Sequence, residues 1–124
     1  MSSFYLSDET TLYDATLGGV GVFVAGGEID YAASPQLKEH IAQHIKAGTR
    51  HLVVDLSPAT FIDSTAIGVL VGAARSLGEA RGGSLAVVVT HENVIEIFEI
   101  AGLHNLIALH SSREEALSAL AAVG

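Results

Sequence analysis

The segment from His51 to Leu56 limits the possible folds of this chain more than any other. Its apolar residues Leu52, Val53 and Val54 follow one another without alternation, which is typical of a strand buried on both faces. A turn at Ser57-Pro58, a helical pattern from Ser64 to about Glu79 and a second apolar strand, Leu85 to Val89, come next. A strand, a helix and a strand in this order predict a parallel crossover in an α/β layer.

The patterns on either side extend this layer. Val20 to Ala25 alternates like a strand, and Leu12-Tyr13 before a glycine turn predicts an antiparallel hairpin partner. A first helix is expected from Ser34 as N-cap and Pro35 to Gly48. Its inward face would carry Leu37, Ile41 and Ile45.

Three elements are expected in the last third of the chain. Thr90 is the expected cap of a helix that ends at Gly102 and turns Val94, Phe98 and Ala101 inward. A short strand around Leu106 to Leu109 follows, and Ser112 with Glu115 opens a final helix. We therefore expect one domain over residues 1–124 with its core at about 10–122, built on a mixed, mostly parallel sheet of four to five strands with about four helices.

Composition narrows the function classes. Six Lys and Arg against 14 Asp and Glu give a net charge of -8, which disfavours nucleic acid and membrane surfaces as partners. The chain has no cysteine, no signal-peptide pattern at its start and no apolar run near the roughly 20 residues that span a bilayer. A cytoplasmic protein is the expectation.

Ser64 is the side chain most open to a functional interpretation. It stands where the helix after the buried strand begins, so it is a good N-cap, although Asp63 could cap from one position earlier. At the same place its hydroxyl would face outward near a helix N-terminus, which favours negative charge. A structural cap and a phosphorylation site both remain open from the local pattern.

The helix that follows has a face of small residues. Gly68 and Gly72 lack side chains there, and Val69 lies off the core stripe of the helix. The pattern fits close approach by a partner protein, and it equally fits tight packing on a neighbouring element of the same chain. Spacing alone does not separate the two.

Three segments together resemble a known family. They are Gly27-Glu28-Ile29-Asp30, then the run Phe61 to Leu70 (FIDSTAIGVL), then the run Phe98 to Leu103 (FEIAGL). In this order and spacing the chain resembles the anti-anti-sigma factors of the STAS domain family, over nearly its whole length. The resemblance implies a regulator that binds a serine-kinase anti-sigma factor, frees a sigma factor, and is inactivated when that kinase phosphorylates Ser64.

The resemblance also assigns neighbours and partners. It places Asp30 in the loop beside Ser64, with Asp63 and Thr65 as flanks, and implies a PP2C-type phosphatase that resets the serine. The expected partner-binding residues are Asp30, Asp63, Ser64, Thr65, Ala66, Gly68, Val69 and Gly72.

Ala66 departs from the glycine common in the family: it favours a helix by roughly 1 kcal/mol and adds a methyl group beside the serine. The choice of partner and the modification of Ser64 therefore stay open. For the oligomeric state, the sequence allows a monomer or a weak dimer.

Other functions have weaker support. A STAS scaffold or sensor component, with Ser64 merely a cap, is the main alternative. A phospho-aspartate receiver would use Asp55 and Thr90, yet no lysine follows Lys46. A serine hydrolase lacks its nucleophile motif, and His40 with His44 lacks a third metal ligand. We therefore expect a non-enzymatic protein with no catalytic residue, metal or cofactor of its own.

Overall fold

The computed structural model describes the backbone of residues 2–7, 10–17, 20–103 and 106–123, and the side chains of 20–79, 82–103 and 106–120. Strands and helices alternate through most of it. In chain order they are β1 (Ser2–Ser7), β2 (Thr10–Leu17), β3 (Val20–Ile29), α1 (Ser34–Lys46), β4 (His51–Asp55), β5 (Ala59–Ile62), α2 (Ser64–Arg81), β6 (Ser84–Val88), α3 (Glu92–Ile100), β7 (Ala108–His110) and α4 (Arg113–Val123).

The strands form a mixed sheet in the order β1-β2-β3-β4-β6-β7, with β5 paired to β3. β1, β2 and β3 are antiparallel neighbours, whereas β3-β4, β4-β6, β6-β7 and β3-β5 are parallel. The α/β class and the antiparallel start of the sheet are thus confirmed. The described residues form seven strands, more than the four to five expected, because β1 and the four-residue β5 add to those recognised from the pattern.

Strand β3 is long enough to hold two parallel partners in succession. Its residues 21–24 pair with β4, and its residues 27–29 pair with β5. Between them Gly26 lies against Pro58, whose side chain would be 3.0 Å from an added Cβ, and Gly27 has a φ of 77°. Glycine is needed at this change of partner because a side chain would meet the turn after β4.

The sheet is buried on both faces, as the apolar run in β4 predicts. One face carries Phe23, Leu52 and Val54 under helices α1, α2 and α3. The other carries Val22, Val53, Ala86 and Val88 under α4, which contributes Ala116 and Leu120. Leu52, Val53 and Val54 are completely inaccessible to solvent.

Two helix starts differ from the sequence-based expectation, and a third agrees with it. Ser34 is the first residue of α1 and not its cap; Ala33 precedes it, and the carbonyl and carboxylate of Asp30 bind the free N–H groups. His91 caps α3 through Nδ1, whereas Thr90 donates from Oγ1 to the Ser57 carbonyl. Ser112 does cap the last helix, accepting from the Glu115 N–H at 3.1 Å.

Two further expectations, on Ala101 and on the late strand, need adjustment. Val94 and Phe98 are buried as predicted, but Ala101 is exposed because α3 ends before it and Gly102 turns the chain with a φ of 71°. The late strand is Ala108–His110, so it begins two residues later and ends one residue later than expected. In the described part of the chain, no helix combines the length and apolar character needed to cross a membrane.

Candidate functional site

The candidate site lies where β5 passes into α2. β5 runs parallel to the end of β3, with Ile62 opposite Ile29, and the Asp63 N–H donates to the Ile29 carbonyl at 3.2 Å. The carboxyl ends of these two strands therefore place Asp30 and Asp63 next to each other. Ser64 follows Asp63 as the first residue of α2.

Asp63 is the cap of α2. Its backbone is extended (φ -105°, ψ 177°), and its Oδ1 accepts from the N–H groups of Thr65 at 3.0 Å and Ala66 at 3.1 Å. Of the two candidate caps, Asp63 and Ser64, Asp63 therefore caps the helix. The side chain of Ser64 is exposed and is not needed to start the helix.

Asp30 orders the neighbouring loop. Its Oδ1 accepts from the N–H groups of Ala32 and Ala33, both at 3.1 Å, and its carbonyl accepts from the Ser34 hydroxyl at 3.0 Å. This network fixes the half-buried Asp30 at the end of β3, beside the start of α2. Tyr31, next in the chain, is 73% exposed and adds an aromatic side chain that the sequence analysis did not single out.

Ala66 faces the opposite way from the serine. It is completely buried and belongs to the core under α1, α2 and α3, whereas Ser64 and Thr65 are exposed. The expectation that its methyl group stands beside the target hydroxyl is therefore wrong. The departure from glycine fills the core and leaves the outer surface of this turn unchanged.

Gly68 and Gly72 are exposed, and a Cβ atom added to either would meet no atom of the described residues within 4 Å outside the helix's own backbone and the chain neighbours. Tight packing on another described element therefore does not explain them. Val69 is half-buried and touches the core from the side. This face of α2 is open along two turns.

A groove runs beside this face, between α2 and α1. It has a volume of about 380 Å³ and an apolar lining from both helices. Its lining residues are Lys38, Ile41, Ala42, Ile45, Thr65, Gly68, Val69, Gly72, Ala73 and Ser76. Four of the expected partner-binding residues, Thr65, Gly68, Val69 and Gly72, therefore share one surface, whereas Asp30, Asp63 and Ser64 lie at the loop end and Ala66 beneath it.

The family model of the STAS domain matches residues 14–116. The chain belongs to the STAS domain family. The match confirms the resemblance carried by the three segments, and it spans β3 through the start of α4.

Individual proteins that are similar to this chain in sequence or structure support the same assignment. An anti-sigma-B factor antagonist of Listeria monocytogenes is 35% identical over 97 residues, which are 77% of this chain and 82% of that protein. An anti-sigma factor antagonist from Mycobacterium paratuberculosis superposes with a TM-score of 0.85 at 26% identity, over 91% of this chain and 95% of that one. The Bacillus cell fate determinant SpoIIAA in its phosphorylated form shares the fold, with a TM-score of 0.68, 23% identity and coverage of 86% and 96%.

Asp55 has a structural role in this STAS domain that does not suit a receiver domain. It is 3% exposed, its Oδ2 accepts from Arg113 Nη2 at 2.9 Å and Nε at 3.1 Å, and its Oδ1 accepts from the Ser57 N–H at 2.9 Å. A carboxylate held this way is closed to a phosphoryl donor. It joins the end of β4 to α4 instead.

The histidines that the structure describes show no metal-binding arrangement. His40 packs its ring against Phe23 at a centroid distance of 5.4 Å, and His51 Nδ1 lies 3.0 Å from the Ser84 hydroxyl. Within the described residues, no three His, Cys, Asp or Glu side chains group closely enough to hold a metal ion.

Proposed function

We propose that this STAS protein is an anti-sigma factor antagonist controlled by phosphorylation of Ser64. Unmodified, it binds a serine-kinase anti-sigma factor and so releases a sigma factor; phosphorylated, it loses that partner until a PP2C-type phosphatase removes the phosphate. In this role it acts in the cytoplasm as a binding protein without a catalytic reaction of its own. The naming of its relatives as anti-sigma-B factor antagonists supports the partner class.

The observation that carries the proposal is the exposed hydroxyl of Ser64 at a helix start that Asp63 already caps. Because the serine has no structural task there, a kinase can modify it without removing a cap. Rigid elements on both sides, β5 and α2, present the hydroxyl in one place. Substrate positioning of this kind favours phosphoryl transfer.

Phosphorylation would change the surface and leave the fold in place. A phosphoserine adds between one and two negative charges, and the N–H groups of Thr65 and Ala66 already bind Asp63, so they are not free to neutralise it. The new charge would stand beside Asp63 and Asp30 and face the bound partner. Like charges about 4 Å apart repel by roughly 1 to 4 kcal/mol, which corresponds to about ten- to thousandfold in affinity.

The direct test uses the serine-kinase anti-sigma factors encoded in the same genome as this chain. Each is incubated with the protein and Mg·ATP, and the intact mass is measured. We expect one added phosphate on the native protein and on a Thr65→Ala control, and none on Ser64→Ala. No added phosphate with any of these kinases would reject the switch and leave a STAS scaffold or sensor component, in which Ser64 is unmodified.

Binding gives the second readout. We expect Ser64→Ala to bind the kinase like the native protein and Ser64→Asp to bind at least about tenfold more weakly, because a charge at residue 64 opposes docking. Equal affinities of the two variants would mean that charge at this position does not control the complex.

A further inference from the structure

The groove between α1 and α2 has the features of a docking site for a helix. Its apolar floor is formed by Ile41 and Ile45 of α1 and by Val69 and Ala73 of α2. Helices that bind in grooves insert apolar side chains spaced three and four residues apart into a floor of this kind. Thr65 lines the groove and directly follows Ser64, so the groove begins at the candidate phosphorylation site.

One wall of the groove consists of bare helix backbone. Gly68 and Gly72 lie one turn apart on α2, and the space beside both is open. Small residues at a helix surface let a second helix approach closely, as in other helix pairs. The wall therefore admits a helix, whereas larger side chains at these positions would hold it away.

The described residues that line the groove include one charged side chain, the cation of Lys38, although the chain as a whole carries -8. Beyond the lining, Arg75 and Glu79 follow Gly68 by seven and eleven residues and so lie further along the same face of α2. Neither cation has an ion-pair partner within the described residues. The groove lining includes no Asp or Glu; Glu39 and Glu79 are exposed on the same two helices but outside the lining.

We infer that this groove binds an amphipathic α-helix whose apolar side is flanked by Asp or Glu side chains, and that the anti-sigma factor supplies this helix. The second part rests on the proposed function, because the groove begins at Thr65 beside the modified serine. Apolar anchors fill the floor, and an acidic flank pairs with Lys38. Docking here holds the kinase on the antagonist while Ser64 reaches its active site.

A leucine placed on the glycine wall blocks the groove. Gly72→Leu adds a side chain into the groove, and Gly78→Leu is the matched control: Gly78 also lies in α2 with open space around it, but it is not part of the lining. We expect Gly72→Leu to weaken binding of the anti-sigma factor by about tenfold or more and Gly78→Leu to stay within about twofold. Native-like binding by Gly72→Leu, or an equal loss in both variants, would overturn the inference.

The charge of the partner helix is tested by reversing the charge at the groove. Lys38→Glu should weaken the same complex by about tenfold, since an attractive pair becomes repulsive. Lys46→Glu in α1 is the control, because this exposed lysine is not part of the lining. If the control has the same effect as Lys38→Glu, the effect reflects net charge, and the acidic flank is rejected.

Two designed peptides test the groove without the kinase, so a failure here is distinguishable from failure of the phosphorylation switch. Both form helices with the same leucine face; one carries Glu on the flanks and the other Lys. In an amide NMR titration we expect the Glu peptide to shift the signals of Thr65, Gly68 and Gly72 and to bind at least about fivefold more tightly than the Lys peptide. Equal affinities, or shifts located elsewhere, would reject an acidic helix as the ligand.

Discussion

The Oδ1 atom of Asp63 lies 3.1 Å from the backbone nitrogen of Ala66 and closes the first turn of α2. One residue therefore supplies the cap, and its neighbour Ser64 supplies the exposed hydroxyl. This division of tasks allows the two residues to be changed independently.

Asp63→Ala should lower the free energy of unfolding by about 1 kcal/mol, the usual effect of losing an N-cap, whereas Asp63→Asn keeps a capping oxygen and should change it little. Ser64→Ala should have almost no effect. Urea unfolding followed by circular dichroism measures all three. A loss in Ser64→Ala as large as that in Asp63→Ala would show that the serine shares in capping.

Ala66→Gly should destabilise the protein by about 1 kcal/mol or more, because it removes a buried methyl group and adds backbone freedom inside a helix. The rate at which the kinase phosphorylates Ser64 should stay the same, since the methyl group faces the core. Urea unfolding and a time course of intact mass give the two values. A changed rate at unchanged stability would restore Ala66 to the partner surface.

The buried pair Asp55–Arg113 should stabilise the attachment of α4. Arg113→Met leaves a carboxylate 3% exposed without its cation, and we expect a loss of roughly 2 kcal/mol, moderated because the Arg113 side chain is 41% exposed. Adding Asp55→Asn should recover part of this loss. A double variant that is less stable than the sum of the single changes would contradict this account.

Glu115 should make stability depend on acid pH. The hydrogen bond that it accepts from the Ser111 side chain is the largest cause, and the bond to His110 the next, that holds its pKa below the ordinary 4.5. The stabilisation is therefore complete above about pH 4.5 and is lost as pH falls through the lower pKa of the folded state. Ser111→Ala should raise the pKa of Glu115 toward its ordinary value in an NMR titration; an unchanged pKa would exclude Ser111 as the main cause.

The fold could be predicted from sequence where one residue pattern decided the outcome. The consecutive Leu52, Val53 and Val54 indicated a doubly covered strand, and these three residues are buried on two faces. α2 ends at Arg81, and Gly82 after it has a φ of 61°, the left-handed conformation that glycine readily adopts at a helix end. Local rules were sufficient at such places because backbone preference and burial pointed the same way.

The helix starts could not be predicted to the residue. Ser64 and Asp63 are both good caps, and the hydrogen bond from the Asp63 N–H to Ile29, far away in sequence, holds Asp63 extended and so selects it. The pair Asp55–Arg113 joins residues 58 positions apart, which no local pattern reveals. The groove beside Gly68 likewise depends on how α1 lies next to α2.

The two apolar layers of the sheet have a consequence for how such a protein can diversify. The serine and the groove stand on the side covered by α1, α2 and α3, while α4 packs on the reverse side with its own small set of contacts. Substitutions on the outward surface of α4 can therefore accumulate, and can create a new binding surface, without altering the geometry around residue 64. The two sides of this small domain can thus change in sequence nearly independently of each other.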